Sequence, residues 1–302
     1  MPHRSWRPPP SPDRLNRTTA MPIMPLPRHV VNDAVARAIA EDQGGRGDVT
    51  SLACIPAKAE AKFYVNAREA GVVCGFQPAL AAIWQCDPKA LVSPQMDDGD
   101  TVKPGDVLIS VTGRARGLLA AERILLNFMG RMSGIATFTR AYVDAVEGTG
   151  ARIAHTRKTT PGFRAFELQA VQAGGGALHR FGLDDAILIK DNHVAVCGGV
   201  REAVEAARKS AGHMTRIAVE VDRLSQLDAA IDAGAESVLL DNFPLDDLRA
   251  AVASAKGKVT LEASGGVNLD TVRGIAETGV DVISVGALTH SAPNFDIGLD
   301  EN

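Results

Sequence analysis

Cysteine is too scarce and too dispersed to staple this chain of 302 residues. Cys54, Cys74, Cys86 and Cys197 form no C-x-x-C pair, and no histidine stands at zinc-finger spacing, so neither a disulfide framework nor a structural zinc is expected. Long apolar runs are also missing. No stretch approaches the roughly 18 unbroken apolar residues of a membrane span, and no apolar h-region follows the basic N-terminus, so a cytoplasmic protein without membrane contact is expected. Positive charge is not in surplus: 32 Lys and Arg against 36 Asp and Glu leave −4, and nothing global draws the chain to nucleic acid. Any anion it binds must meet a local cluster of cations. Familiar nucleophiles are absent as well, since there is no G-x-S-x-G elbow and no cysteine beside a base.

What remains is an ordinary globular composition, 45% hydrophobic and 23% charged, long enough for two domains or for one barrel with an appendage. Residues 1–28 stand apart. They hold 8 of the 16 prolines, with Arg4, Arg7, Arg14, Arg17 and Arg28 against the single acid Asp13, so the segment carries +4 and leaves −8 for the rest. Proline at that density forbids a helix or a paired strand, and a disordered arm is expected, or an over-extended start with Met21 or Met24 as the true first residue.

From residue 29 to 135 the signals are mixed. A short helix is predicted over Val30–Glu41, with strands over Ala61–Asn66 and Gly71–Gly75. Turn chemistry around Asp97-Asp98-Gly99-Asp100 and Lys103-Pro104-Gly105-Asp106 favours a small antiparallel sheet. An apolar helix over Leu118–Met129 carries Arg123. This part reads as a separate α+β domain.

After residue 150 short apolar or β-branched runs alternate with amphipathic segments of helical period: 152–156, 186–190, 217–221, 237–241, 259–263 and 280–286. Glu220, Asp241 and Glu262 fall 21 residues apart at each step. Six strands at so short a period predict an α/β fold with a parallel sheet closing towards a barrel, an open doubly wound sheet being the alternative.

In such a barrel the chemistry lies at the C-terminal strand ends. There the sequence places His155-Thr156-Arg157-Lys158, Lys190-Asp191-Asn192-His193, Glu220-Val221-Asp222, Asp241-Asn242, Glu262-Ala263-Ser264-Gly265-Gly266 and Gly286-Ala287. Ordinary caps and turns explain any one of these positions. They do not explain full charges at four consecutive strand ends. Arg157, Lys158, His179, Arg180 and Lys190, joined by Arg123, suit a small polyanion, because arginine forks match carboxylate and phosphate geometry. Lys190 is alternatively a Schiff-base lysine. Glu220 and Asp241 suit Mg²⁺ bridging to phosphates or hydrogen bonds to sugar hydroxyls, the rival being a general acid and base pair. Ser264-Gly265-Gly266, ahead of a helix expected near Asn268, and Gly286 offer backbone N–H groups to a phosphate. Gly174-Gly175-Gly176 is open between a helix end and a close approach to ligand. The residues together read as a metal-assisted binder of a phosphorylated sugar and a carboxylated partner.

The motifs Leu126-Asn127-Phe128, Ser133-Gly134-Ile135-Ala136-Thr137, Thr156-Arg157-Lys158-Thr159-Thr160-Pro161-Gly162, His179-Arg180-Phe181-Gly182-Leu183, Leu188-Ile189-Lys190-Asp191-Asn192-His193 and Glu262-Ala263-Ser264-Gly265-Gly266, in this order, resemble quinolinate phosphoribosyltransferase, the carboxylating nicotinate-nucleotide pyrophosphorylase family. The resemblance covers roughly residues 29 to 299 and leaves the N-terminal arm outside. It implies an α+β sandwich domain (29–135), an incomplete α/β barrel (136–292) and a tail (293–302) returning to the first domain. It implies a pentosyltransferase that converts quinolinate and phosphoribosyl pyrophosphate to nicotinate mononucleotide, pyrophosphate and CO₂ with Mg²⁺, in de novo NAD biosynthesis. By the same resemblance Arg157, His179, Arg180 and Lys190 hold the quinolinate carboxylates, and Arg123 reaches in from the second subunit of a homodimer or higher oligomer. Lys158, Glu220 and Asp241 serve phosphoribosyl pyrophosphate and its Mg²⁺, and Ser264, Gly265 and Gly286 cradle the 5-phosphate.

Two positions depart from that pattern, which has Asp where His155 stands and Asn where Leu178 stands. Three rivals share parts of the motif set. A related branch found with molybdenum transport lacks the argument of the intact Lys190-Asp191-Asn192-His193, a nicotinate-specific enzyme needs fewer cations, and a non-catalytic phosphosugar sensor has no need of Glu220, Asp241 and both glycine loops together.

Overall fold

The structure is a computed structural model that describes residues 23–255 and 257–301. The expected disordered arm lies outside the described residues up to position 22. Residues 23–27, expected to belong to it, have no regular secondary structure but are bonded to the rest of the chain, the Leu26 N–H donating to Gln77 Oε1 at 2.9 Å and Gln169 Nε2 donating to Met24 O at 3.2 Å.

Helix α1 (Arg28–Gln43) outruns the predicted Val30–Glu41 at both ends, and α2 (Val49–Cys54) is capped by Asp48, whose carboxylate accepts from Thr50 N–H and Ser51 N–H. β1 (Glu60–Ala67) and β2 (Gly71–Val72) precede α3 (Phe76–Cys86). The strand expected to run to Gly75 stops early because Gly75 turns the chain at φ 108° into α3, where Asp98 accepts from the Gly75 and Phe76 N–H groups. β3 (Leu91–Pro94), β4 (Thr101–Val102) and β5 (Val107–Arg114) follow. β1 lies between β5 and the last strand of the chain, all antiparallel, while β2 pairs only with β4.

Helix α4 (Ala115–Ala145) is much longer than the apolar pattern predicted, and it runs without a break from the sandwich to the barrel. Its buried stripe, including Leu118, Leu125, Met129, Met132 and Ile135, belongs to the one hydrophobic cluster that also takes in Ile109 and Val65 of the sandwich and Val219, Leu240 and Ile283 of the barrel.

The barrel strands are β6 (Arg152–Ala154), β7 (Ile187–Ile189), β8 (Ile217–Val221), β9 (Ser237–Asp241), β10 (Thr260–Ser264) and β11 (Val282–Ser284). The helices between them are α5 (Arg164–Ala173), α6 (Asp191–Cys197), α7 (Val200–Ser210), α8 (Leu227–Asp232), α9 (Leu245–Ala255) and α10 (Val272–Ala276), with α11 (Ala287–His290) after β11. All strand pairs are parallel, in the order β6-β11-β10-β9-β8-β7. β9 is buried along almost its whole length, as a strand covered on both faces must be. β6 and β7 are the two edges and do not pair, so the barrel is incomplete. A single parallel bridge, Ala154 to Ala177, extends the β6 edge.

After α11 the chain returns across α4. Gly134 is required there: a Cβ at this position would collide with the Pro293 carbonyl, and the neighbouring Phe295 N–H donates to Gly130 O at 2.9 Å. The last strand, β12 (Ile297–Asp300), then pairs with β1.

Candidate active site

The strand ends of the barrel open into a cleft of about 610 Å³, a volume suited to a small-molecule site. It is lined by Arg157, Lys158, His179, Arg180, Lys190, Glu220, Asp241, Ser264 and Gly265, all expected from the sequence, by Glu262, which the sequence placed at a strand end but gave no role, and by Ser284 and Leu239, which were not expected. Arg123 is not among the lining residues; it is exposed on α4. Gly286 does not line the cleft either, but a Cβ there would stand 3.1 Å from the Lys158 side chain, so this glycine leaves room for Lys158.

The strand register places the carboxylates. Glu220 lies opposite Leu239, and Leu239 opposite Glu262, while Asp241 lies opposite Ser264. Glu220 and Glu262 therefore share a layer, and Asp241 belongs to the next layer towards the mouth. The equal spacing of 21 residues concealed this, because the parallel strands are offset by 19 and then 23 residues.

Lys190 stands at the N-terminal boundary of α6 and pairs with Glu220, and its backbone N–H donates to His193 Nδ1 at 3.0 Å. Asp241 accepts from its neighbour Asn242, at 2.7 Å, and Asn242 has φ 56°. Arg157, Lys158 and Arg180 have no ion-pair partner among the described residues. The Nε atoms of Arg157 and Arg180 are buried and unpartnered, an arrangement that costs free energy. Burial and the adjacent Arg157 charge both push the Arg180 guanidinium below its ordinary value, which still leaves it charged.

Glu262 is buried beneath this layer. Burial raises its pKa, but the hydrogen bonds from His179 and from the hydroxyl of Ser284 outweigh that and hold it below the usual range. The His179 ring is fixed at both nitrogens. Nδ1 accepts from the Arg180 N–H at 2.7 Å, so the proton sits on Nε2, 3.4 Å from Glu262. His155 supports the same segment: its Nε2 accepts from the His179 N–H at 3.0 Å, and its Nδ1 faces Thr156 O at 3.0 Å. Leu178, the other departure, is exposed.

The glycine loops differ from expectation in one respect. Gly265 and Gly266 both have positive φ, 100° and 61°, and a Cβ on Gly265 would collide with the Asn242 side chain. No helix starts at Asn268; its side chain instead caps a turn by accepting from Asp270 N–H and Thr271 N–H, and α10 begins only at Val272. The N–H groups that this loop presents are therefore its own and not those of a helix N-terminus. Gly174-Gly175-Gly176 resolves to a helix end: Gly174 ends α5, and a Cβ there would collide with the Ala136 carbonyl of α4.

Comparison with known proteins agrees with this geometry. Residues 48–133 match the model for the quinolinate phosphoribosyl transferase N-terminal domain, and residues 135–300 match that for its C-terminal domain. The chain belongs to the quinolinate phosphoribosyltransferase family. The nicotinate-nucleotide pyrophosphorylase (carboxylating) of Mycobacterium leprae is 45% identical over 274 residues, which are 89% of this chain and 96% of that protein. A probable enzyme of the same name from Bacillus subtilis is 41% identical over 256 residues, covering 85% and 88%. The solved nicotinate-nucleotide pyrophosphorylase of Francisella tularensis superposes with a TM-score of 0.89 at 37% identity, covering 94% of this chain and 100% of that one. A sandwich followed by an incomplete barrel is thus the architecture of this quinolinate phosphoribosyltransferase family member as well as of its solved relative.

Proposed function

We propose that this cleft transfers the phosphoribosyl group of phosphoribosyl pyrophosphate to the ring nitrogen of quinolinate, giving nicotinate mononucleotide, pyrophosphate and CO₂ for de novo NAD biosynthesis in the cytoplasm. The observation that carries the reading is the trio Arg157, Lys158 and Arg180, without an ion-pair partner among the described residues, lining the same cleft as a glycine loop. Two adjacent carboxylates on one pyridine ring answer a site with two arginine forks. Among the described residues no helix is long and apolar enough to cross a membrane.

Arg157, Arg180 and Lys190 bind and orient the quinolinate carboxylates, with His179 beside them. Lys158 meets the phosphoribosyl pyrophosphate, whose 5-phosphate lies on the N–H groups of the Ser264–Gly266 loop with Gly286 nearby. Among the described residues no three His, Cys, Asp or Glu side chains cluster as a complete metal cage. Glu220 and Asp241 nonetheless fit Mg²⁺, which keeps several waters and needs only one or two carboxylates beside substrate phosphates. Bound there, Mg²⁺ would neutralise charge on the departing pyrophosphate.

Positive charge grows on the ribose carbon as its bond to pyrophosphate breaks, and the pyridine nitrogen forms the new bond to that carbon. Carboxylates of Glu220 and Asp241 on that side favour the growing charge, and Lys158 favours the leaving group. The ring nitrogen is then cationic. Its charge stabilises the electron pair left at the neighbouring carbon when CO₂ departs, and that carbon takes up a proton. Arg123, exposed on α4 and not lining its own cleft, reaches the quinolinate site of a second subunit in a homodimer or higher oligomer.

The test is to incubate the protein with quinolinate, phosphoribosyl pyrophosphate and Mg²⁺ and to follow nicotinate mononucleotide and CO₂ together, with nicotinate in place of quinolinate as the control. One CO₂ per nucleotide, from quinolinate only, is the expected result. Arg157→Ala and Lys190→Ala should each lower kcat/KM by about 100-fold or more, the scale of removing one charge-stabilising donor. Wild-type turnover in either variant would remove that residue from the site.

A further inference from the structure

Behind the cation layer lies a second set of charges that the proposed chemistry does not use. Glu167, in the first turn of α5, is fully buried, and its carboxylate is saturated from two directions. Oε1 accepts from Arg131 Nη2 at 2.8 Å and from the Thr160 hydroxyl at 2.8 Å, while Oε2 accepts from the Thr160 N–H at 3.0 Å. Arg131 projects from α4, and its remaining donors reach the chain that follows β11: Nη1 donates to Ala292 O at 3.1 Å and Nη2 to Thr289 O. The contact closes on itself, because the Thr289 hydroxyl donates to Lys158 O at 2.8 Å.

Three segments meet at this ion pair. They are α4, the loop from Arg157 to Thr160 that carries two of the cleft's cations, and the segment after Gly286. A buried ion pair seldom stabilises a fold more than apolar side chains of the same volume would, since desolvation offsets the attraction. What it does enforce is geometry, as every bond has a direction and a partner on a different segment. Lys158 is held from both sides in this way, by Thr289 on its own carbonyl and by Glu167 two residues on.

We propose that Glu167, clamped by Arg131, is a positioning residue for this reaction, fixing the Arg157–Lys158 loop against the segment after β11 so that both substrates meet a preformed set of cations. A displacement of about 1 Å is enough to lose two orders of magnitude in such a site. The inference rests on the phosphoribosyl-transfer reading above, and the experiment separates the two.

Glu167→Gln keeps the volume and removes the charge, Arg131→Lys keeps the charge and removes the fork, and Thr289→Val removes the hydroxyl that bonds Lys158 O at 2.8 Å and lies 3.3 Å from Gly286 O, leaving the Arg131 contacts in place. Wild type and variants are compared for KM and kcat with both substrates, for melting temperature, and for backbone hydrogen exchange over residues 156–163 and 286–292. We expect Glu167→Gln to raise KM for phosphoribosyl pyrophosphate at least tenfold, with faster exchange confined to those two segments, and Arg131→Lys to restore part of the loss relative to Arg131→Met. Thr289→Val should raise the same KM several-fold with the melting temperature unchanged. A purely structural role would lower the melting temperature and the active fraction yet leave KM and local exchange at wild-type values, and that result would overturn the proposal. Should Glu167→Gln not fold, the Thr289→Val result decides in the same way. Should the wild-type chain form no nicotinate mononucleotide, the functional reading has failed, and unchanged exchange in the variants would separately refute the clamp.

Discussion

His155 is fully buried at the end of β6, and burial there dictates its protonation. Loss of hydration disfavours the imidazolium, and the positive charge of Arg164 adds to that; Thr156 O and Glu262 pull the other way and lose, so the pKa falls from 6.5 to about 4. The ring is therefore neutral at assay pH, with its proton on Nδ1 towards Thr156 and a lone pair for the His179 N–H. An acceptor is what the position needs, and a neutral histidine meets that need without adding negative charge beneath Arg157. The titration has a consequence for stability. Between pH 6.5 and about 4 the unfolded chain binds a proton at this residue that the folded chain does not, so stability rises with pH through that window. The contribution is complete above pH 6.5 and shrinks as the pH falls towards about 4, by roughly 3 kcal/mol over the whole range. His155→Asn removes the titration, so urea unfolding of this variant should show a flatter dependence on pH between 4 and 6.5 than wild type. A variant with the same slope as wild type would mean that His155 titrates normally in the fold.

Helix α4 shows where a sequence pattern stops informing. The apolar period over Leu118–Met129 is legible, but Gly130, Ser133 and Gly134 follow it, and glycine costs about 1 kcal/mol against alanine in a helix interior, so the pattern alone ends the helix early. The helix continues because the returning segment needs its small side chains: Pro293 and Phe295 lie against Gly134 and Gly130. Tertiary contact has overridden propensity. Gly134→Val must force that segment away, and overpacking of this kind costs about 1–3 kcal/mol, a fall of several degrees in melting temperature for a chain of this size. Because β12 follows the same segment and pairs with β1, cross-strand protection of Tyr64 to Ala67 should weaken in the variant, while an exchange pattern equal to wild type would show that the segment can shift without cost. The barrel strands were easier to read, since five-residue apolar runs such as Ser237–Asp241 have few other uses. Their relative stagger was not legible: nothing local in the sequence sets Glu220 opposite Leu239 rather than opposite Asp241, because register follows from how neighbouring strands and helices pack. Glu262 stood at an expected strand end but was given no role for that reason, although it continues the 21-residue step of Glu220 and Asp241. Arg131 and Glu167 gave no signal at all, as a buried clamp consists of partners far apart in the chain.

At the scale of the whole molecule the cleft and Arg123 pose a single question. Arg157, Lys158, Arg180 and Lys190 converge within one chain, whereas Arg123 stands exposed on α4 and outside its own cleft. If Arg123 serves the cleft of a second copy, each active site combines residues of two chains, and the two defects should complement. A Lys190→Ala chain lacks a residue of its own cleft but still lends Arg123 to its partner; an Arg123→Ala chain has an intact cleft but lends nothing. In a mixed dimer one site then carries both defects and the other carries neither. Random reassortment of equal amounts in a two-fold dimer makes half of the molecules mixed, and one of their two sites is intact, so about one quarter of wild-type activity should return from two nearly inactive parents. The assay is to unfold and refold the two variants together and separately, then to measure nicotinate mononucleotide formation from quinolinate. Recovery to about that level assigns Arg123 to the neighbouring subunit. Activity no greater than the mean of the separately refolded parents, from material that sizes as a dimer, would place Arg123 outside the site.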